Sequence, residues 1–167
     1  MKKILCVIVC LLCLSGCGKQ NAKDVQNTVP EFSGISAQVT AVMNGIEMKA
    51  KVDYIGFDSL SLQFTAPETV KDMKVICEDG ECEAFLNELS FAFSSGSLPY
   101  KSVCICLADC IEKAKTLPIE NNCITYKEKG YNCRLELDDS AGNFQGLYID
   151  GECVLTFSEF EYYTVQE

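Results

Sequence analysis

The stretch Ile35-Ser-Ala-Gln-Val-Thr-Ala-Val-Met-Asn-Gly-Ile-Glu-Met-Lys-Ala-Lys-Val-Asp-Tyr54 decides the fold. Asn44-Gly45 is a pair favoured in two-residue type I′ turns, because both positions need positive φ. A chain reversed at that turn pairs Met43 with Ile46. It then sets Ile35, Ala37, Val39 and Ala41 opposite Tyr54, Val52, Ala50 and Met48. All of these fall on one face, while Ser36, Gln38 and Thr40 meet Asp53, Lys51 and Lys49 on the other. One apolar face and one wet face mark an antiparallel sheet that packs on one side only.

The alternation continues outward from this hairpin. Leu60, Leu62 and Phe64 alternate with Ser59, Ser61, Gln63 and Thr65 until Pro67 ends a third strand. Residues 73–77 and 82–86 flank Asp79-Gly80 as a second hairpin, and Leu89, Phe91 and Phe93 alternate in a sixth strand. The period then changes. Val103, Leu107, Cys110, Ile111 and Ala114 form one helical stripe, with Ser102, Asp109, Glu112 and Lys113 away from it, and the helix stops before Pro118. Residues 123–128 and 131–137 make a hairpin about Lys129-Gly130, with Tyr131, Cys133, Leu135 and Leu137 on one face. In the last hairpin, about Asp150-Gly151, Ile149 opposes Glu152. That register predicts Phe144, Gly146 and Tyr148 facing Phe157, Leu155 and Cys153. About ten short antiparallel strands and one helix give a mainly β (α+β) fold. A sheet this long, apolar on one side, curls into a half-barrel or open barrel covered by its one amphipathic helix.

The N-terminus carries a different kind of signal. Lys2 and Lys3 precede an apolar run over residues 4–14, too short to span a bilayer and built like a secretory signal. The run ends in Leu14-Ser15-Gly16-Cys17, which resembles the lipobox of bacterial lipoproteins. That resemblance implies that residues 1–16 are a removed signal peptide and that Cys17 becomes a diacylglyceryl- and palmitate-bearing N-terminus. Residues 18–31 are polar and read as a tether, so residues 17–31 hold a single β-rich domain over 32–167 at the extracytoplasmic face of the cell membrane.

The composition excludes several classes. The chain has 14 Lys+Arg and 24 Asp+Glu; without Lys2 and Lys3 the balance is 12 against 24, a net charge of −12. Such a surface repels nucleic acid and anionic headgroups. With no histidine, Ser-His-Asp and Cys-His chemistry is impossible, and any zinc site would rest on sulfur and carboxylate. No nucleophile and base motif stands out, so the expectation is a non-catalytic monomer without cofactor or metal. Its partners would be the membrane, through the anchor, and a lipid or an envelope protein.

Eight cysteines lie beyond Cys17. Cys77 and Cys82 are the candidate disulfide, since the Asp79-Gly80 turn sets them opposite each other at a non-hydrogen-bonded pair. Cys106 and Cys110 share a helical face while Cys104 points away, which suits small core filler better than a thiolate site. Asp138-Asp139-Ser140-Ala141-Gly142-Asn143 lacks the spacing and terminal glutamate of a calcium loop.

Phe64-Thr65-Ala66-Pro67-Glu68 followed by Val70-Lys71-Asp72-Met73-Lys74-Val75, together with the lipobox and the order meander, helix, hairpins, resembles the half-barrel fold of outer-membrane lipoprotein carriers and mycobacterial lipid-binding lipoproteins. The resemblance covers roughly residues 32–163. It implies an apolar cavity between sheet and helix that holds acyl chains. Ala37, Ala41, Ala50 and Gly146 are small residues on the apolar face and leave room there. The candidate ligand-facing set is Ala37, Val39, Ala41, Met48, Ala50, Val52, Leu62, Phe64, Phe144, Tyr148 and Phe157. The function expected is binding of a hydrophobic ligand, lipid or lipoprotein; the alternative is an envelope interaction or scaffold domain with a filled core. An internal cavity favours the first, and a filled core with an exposed apolar patch favours the second.

Overall fold

The computed structural model describes residues 29–43, 45–55, 59–139 and 142–164. Six strands come first: β1 (Gly34–Met43), β2 (Ile46–Ile55), β3 (Ser59–Ala66), β4 (Lys74–Glu78), β5 (Glu81–Leu86) and β6 (Leu89–Ser94). A short 3-10 turn at Ser95–Ser97 leads to helix α1 (Val103–Thr116), and β7 (Cys123–Glu128), β8 (Tyr131–Leu137), β9 (Phe144–Ile149) and β10 (Glu152–Tyr163) follow. All ten strands form one antiparallel sheet in the order β6-β5-β4-β3-β2-β1-β10-β9-β8-β7. This is the expected curved open sheet with one helix. The chain enters and leaves the helix from the two edge strands, β6 and β7, so the helix spans the opening that the sheet leaves.

The first hairpin pairs in the register read from the sequence, from Met43 opposite Ile46 to Ile35 opposite Tyr54. Gly45 takes φ +76°, as the turn requires; Asn44 lies outside the described residues. Along β3, Leu60, Leu62 and Phe64 are buried, and the strand ends before Pro67. Helix α1 buries Val103, Leu107, Cys110, Ile111 and Ala114, the predicted stripe, and Cys106 beside it. Lys113 and Lys115 sit in its last turn, where cations favour the helix dipole. Val29 and Phe32 also join the core cluster, so ordered packing already includes the end of the stretch read as tether.

The last hairpin departs from the expected register. Ile149 opposes Glu152 and Tyr148 opposes Cys153, but a bulge then sets Leu155 opposite Leu147 and Thr156 opposite Gly146. A second shift, between Glu136 and Leu137, displaces β9 on its other side. The inward residues of β9 are therefore Phe144, Leu147 and Ile149, all buried. Tyr148 faces outward, not into the concave face: its ring stacks under Arg134 at 4.5 Å and lies against the bare Cα of Gly146. Cys153 is exposed on that outer side as well.

A single helix cannot cover this sheet. At 1.5 Å per residue, 14 residues make a rod about 21 Å long and about 10 Å wide. Ten strands at about 4.8 Å spacing make a sheet on the order of 45 Å across. Part of the apolar face has to remain outside the helix.

Candidate functional site

The register fixes where the apolar face runs out. One row crosses the sheet through Val52, Leu62, Val75, Ala84 and Phe91, each opposite the next. Val52 and Leu62 are fully buried and Val75 is 5 % exposed, Ala84 is half-buried, and Phe91 is 59 % exposed. A parallel row through Tyr54, Leu60, Cys77, Cys82 and Phe93 stays closer to the helix. At the far end Leu86 opposes Leu89, which is 60 % exposed. The concave face therefore passes from core to solvent along continuous rows of side chains, and its open end is apolar.

A groove of about 190 Å³ lies between the helix and the inner row, at the end of the strands that carries the β4–β5 turn. Tyr54, Leu60 and Cys77 line it from the sheet, and Cys104, Ile105, Ala108 and Glu112 from the flank of α1. Cys77 and Cys82 are joined in a disulfide with Cα atoms 4.1 Å apart, which crosslinks β4 and β5 along the groove. Its volume is below that of a pocket that encloses a whole drug-sized molecule. A ligand here would lie along an open trough and not inside a closed cavity.

One wall is held by a polar clamp. Tyr54 Oη donates to Glu112 Oε1 at 2.5 Å, and Lys115 Nζ donates to Tyr54 Oη at 3.0 Å and to Glu112 Oε1 at 2.9 Å. The Lys115 ammonium also lies over the Tyr54 ring at 4.7 Å and the Phe32 ring at 5.5 Å. These contacts tie α1 to β2. Burial pushes Glu112 up, but the Tyr54 hydroxyl and Lys115 outweigh it and hold the carboxyl below its ordinary 4.5. A carboxyl lowered by folding stabilises the fold above its unfolded pKa and gives that up as pH falls through the folded value. Glu112→Gln is therefore expected to be less stable than the parent at neutral pH, with the gap closing in acid. Thermal unfolding at about pH 7 and about pH 3 checks this; a gap of equal size at both would show that the charge of Glu112 does not matter.

The opposite flank of α1 carries free thiols clustered around Tyr100. Tyr100 Oη donates to Asp109 Oδ2 at 2.6 Å and lies 3.3 Å from Cys133 Sγ, while the Cys106 thiol donates to the Tyr100 carbonyl at 3.1 Å. Burial pushes the Cys106 thiol up to about 12 and raises Cys110 well above its ordinary value, and on the groove side it pushes the Cys104 thiol up to about 11. Thiols held protonated are poor nucleophiles and poor metal ligands. Among the described residues no group of three or more Cys, Asp or Glu is placed to hold a metal ion.

Of the candidate ligand-facing residues, Ala37, Val39, Ala41, Ala50, Val52, Leu62, Phe64 and Phe144 are buried in the core. Met48 and Phe157 pack against that core partly exposed, and Tyr148 is on the outer face. Of the small residues expected to leave room on the apolar face, Ala37, Ala41 and Ala50 are buried in the core, whereas Gly146 lies on the outer side beneath the Tyr148 ring because of the bulge in β10. A second groove, of about 260 Å³, opens between the start of α1 and the β1 and β10 strands near Ala41 and Val154, with the Lys101–Glu152 ion pair, 3.6 Å long, beside it. Leu89 and Phe91, at the exposed end of the apolar face, are absent from the candidate ligand-facing set. Their alternation marked the right face; helix length against sheet width would have shown that it stays open. Cys17 lies outside the described residues, and among those described no helix is long and apolar enough to cross a membrane.

No protein-family model matches the chain, and no curated protein matches it in sequence. A solved structure shares its fold. An uncharacterized conserved protein from Thermus thermophilus superposes with a TM-score of 0.50 at 10% identity, over 80% of this chain and 81% of that one. A LolA superfamily protein, NE2245 from Nitrosomonas europaea, gives a TM-score of 0.38 at 10% identity, over 84% of this chain and 90% of that one. The class defined by the strand order and the helix is an open antiparallel half-barrel spanned by one helix.

Proposed function

We propose that this protein is a lipid-anchored, extracytoplasmic, non-catalytic binding module that takes an apolar chain into the trough between α1 and strands β4 to β6. The observation that carries the reading is the row from Val52 to Phe91, which leaves the core and reaches solvent without a change of chemistry. The exposed Leu89 and Phe91 form the sort of apolar surface that marks an interaction site, and the groove floored by Leu60 and Cys77 lies under the neighbouring row of the same face. The filled core beneath the helix favours the open trough as the place for the ligand. An anchor at Cys17 would keep that trough near acyl chains.

Titration with a fluorescent fatty acid tests the proposal. Saturable binding is expected for the parent, and Phe91→Asp is expected to weaken it by roughly tenfold or more, since a buried phenylalanine contact is worth about 1.5–3 kcal/mol. Val42→Asp alters a residue of similar exposure on the opposite side of β1 and serves as the control. Absence of saturable binding, or equal weakening by both substitutions, would overturn the reading.

A further inference from the structure

Strand β6 ends the sheet on one side, and its outer edge lacks every device that ordinarily protects an exposed strand. Leu89-Ser-Phe-Ala-Phe-Ser94 contains no charge and no proline. Its pairing with β5 runs without a bulge from Leu86–Leu89 to Glu81–Ser94. Residues 89–92 are all exposed, and among the described residues no helix or loop covers this edge. The other edge differs: β7 carries Lys127 and Glu128, and Glu128 is held by Lys113 of α1 at 3.0 Å.

The hairpin identifies the free backbone groups. Asn87-Glu88 is a two-residue turn, which makes Leu86 and Leu89 a hydrogen-bonded pair. Leu89 and Phe91 therefore direct their N–H and C=O groups toward β5, while Ser90 and Ala92 direct theirs to the open side. Side chains on the two faces then set what could pair there. The inner face at this edge is apolar, through Leu89 and Phe91. The outer face is acidic: Glu81 and Glu83 stand on β5 opposite Ser94 and Ala92, and Glu88 sits in the turn. The ion pairs among the described residues all lie elsewhere.

We propose that the free edge of β6 accepts an extended segment of a partner polypeptide in which apolar residues alternate with basic ones. Such a segment adds a strand through the N–H and C=O groups of Ser90 and Ala92. Its apolar side chains continue the row past Phe91, and its basic side chains reach back over β6 toward Glu83 and Glu81, about 10 Å away across two strand spacings. A second copy of this chain is the wrong occupant. Edge-to-edge pairing of β6 with itself would set the Glu83 and Glu88 carboxylates of both copies on one patch. The inference rests on backbone and charge at the edge and is independent of the apolar-ligand reading.

The test uses the whole protein and a blocked synthetic peptide that alternates lysine with valine over about seven residues. Saturable binding is expected, with slowed amide exchange at Ser90 and Ala92. Ala92→Pro removes an outward N–H and no bond to β5, and proline is tolerated on an edge; it is expected to lower affinity at least tenfold while fatty-acid binding persists. Glu83→Lys, which keeps the edge intact, is expected to weaken the lysine peptide several-fold and to admit a version with glutamate in place of lysine. Unchanged affinity in both variants would reduce the interaction to attraction by a negatively charged surface and overturn the proposal. So would the absence of binding by the parent, or protection confined to amides other than Ser90 and Ala92. If Ala92→Pro does not fold, Glu83→Lys and the exchange pattern decide the question.

Discussion

Replacing Leu107 with alanine is expected to lower the free energy of unfolding by about 3 kcal/mol, within the roughly 2–5 kcal/mol found for buried leucines. Leu107 lies mid-helix with 0 % exposure, in the same cluster as Ile35, Val52 and Leu62 from one half of the sheet and Leu135 and Leu147 from the other. The edge strands β6 and β7 do not pair, so the sheet cannot bury its face by closing on itself. The helix is the cover, and a hole at its centre loses contacts to both halves. For a domain with about 5–15 kcal/mol in total, this is a large fraction. Urea unfolding followed by circular dichroism measures it, and Leu107→Met, which nearly conserves volume, is expected to cost less than about 1.5 kcal/mol. A loss below about 1 kcal/mol for the alanine variant would mean that the sheet collapses into the space and that the helix is not a fixed plug.

Replacing Cys17 with serine is expected to move nearly all of the protein from the membrane to the soluble fraction. The described residues contain no helix able to cross a bilayer, and the chain is strongly acidic, so its surface has little attraction for anionic headgroups. Attachment would then rest on acyl chains at Cys17. One chain holds only marginally, whereas two give a stable anchor, so the effect of losing the acceptor sulfur is close to all or none. Fractionation after an alkaline wash, with labelled palmitate as a second readout, checks this. A Cys17→Ser protein that stays with the membrane would show that something other than this lipid holds it.

The parts of the fold that are legible in the sequence share one property: a strong local turn signal beside strict alternation. Asn44-Gly45 fixes one register, and a one-residue slip there would turn Ile35, Val39 and Val52 toward water. The C-terminal hairpin has an equally good turn at Asp150-Gly151, yet its faces do not follow from the pattern. Val154-Leu155 and Leu147-Tyr148-Ile149 are apolar at successive positions, so alternation carries little information, and a bulge can exchange the two faces unseen. The outward placement of Tyr148 is hidden by that ambiguity. The apolar face of β6 is legible as a face but not as an exposed one. Alternation tells which side of β6 Phe91 occupies; whether anything covers it depends on how far a 14-residue helix reaches. The choice between cavity and core lies in how the helix seats, and no local pattern records that.

The pairing of β1 with β10 has a consequence for how the molecule assembles. Every other strand lies beside a neighbour in sequence, and this seam alone joins the two halves of the sheet. Across it the Tyr163 hydroxyl donates to the carbonyl of Ile35, 128 residues away. During synthesis from the N-terminus, the β1–β6 meander can form as soon as it emerges, since its contacts are local. Its apolar surface then waits for the helix, and its β1 edge waits for the last strand made. Zipping that seam closes the longest loop in the domain, and the half-built sheet meanwhile offers an unpaired edge at each end. Rapid delivery of β10 is then what separates productive folding from pairing with a neighbouring chain.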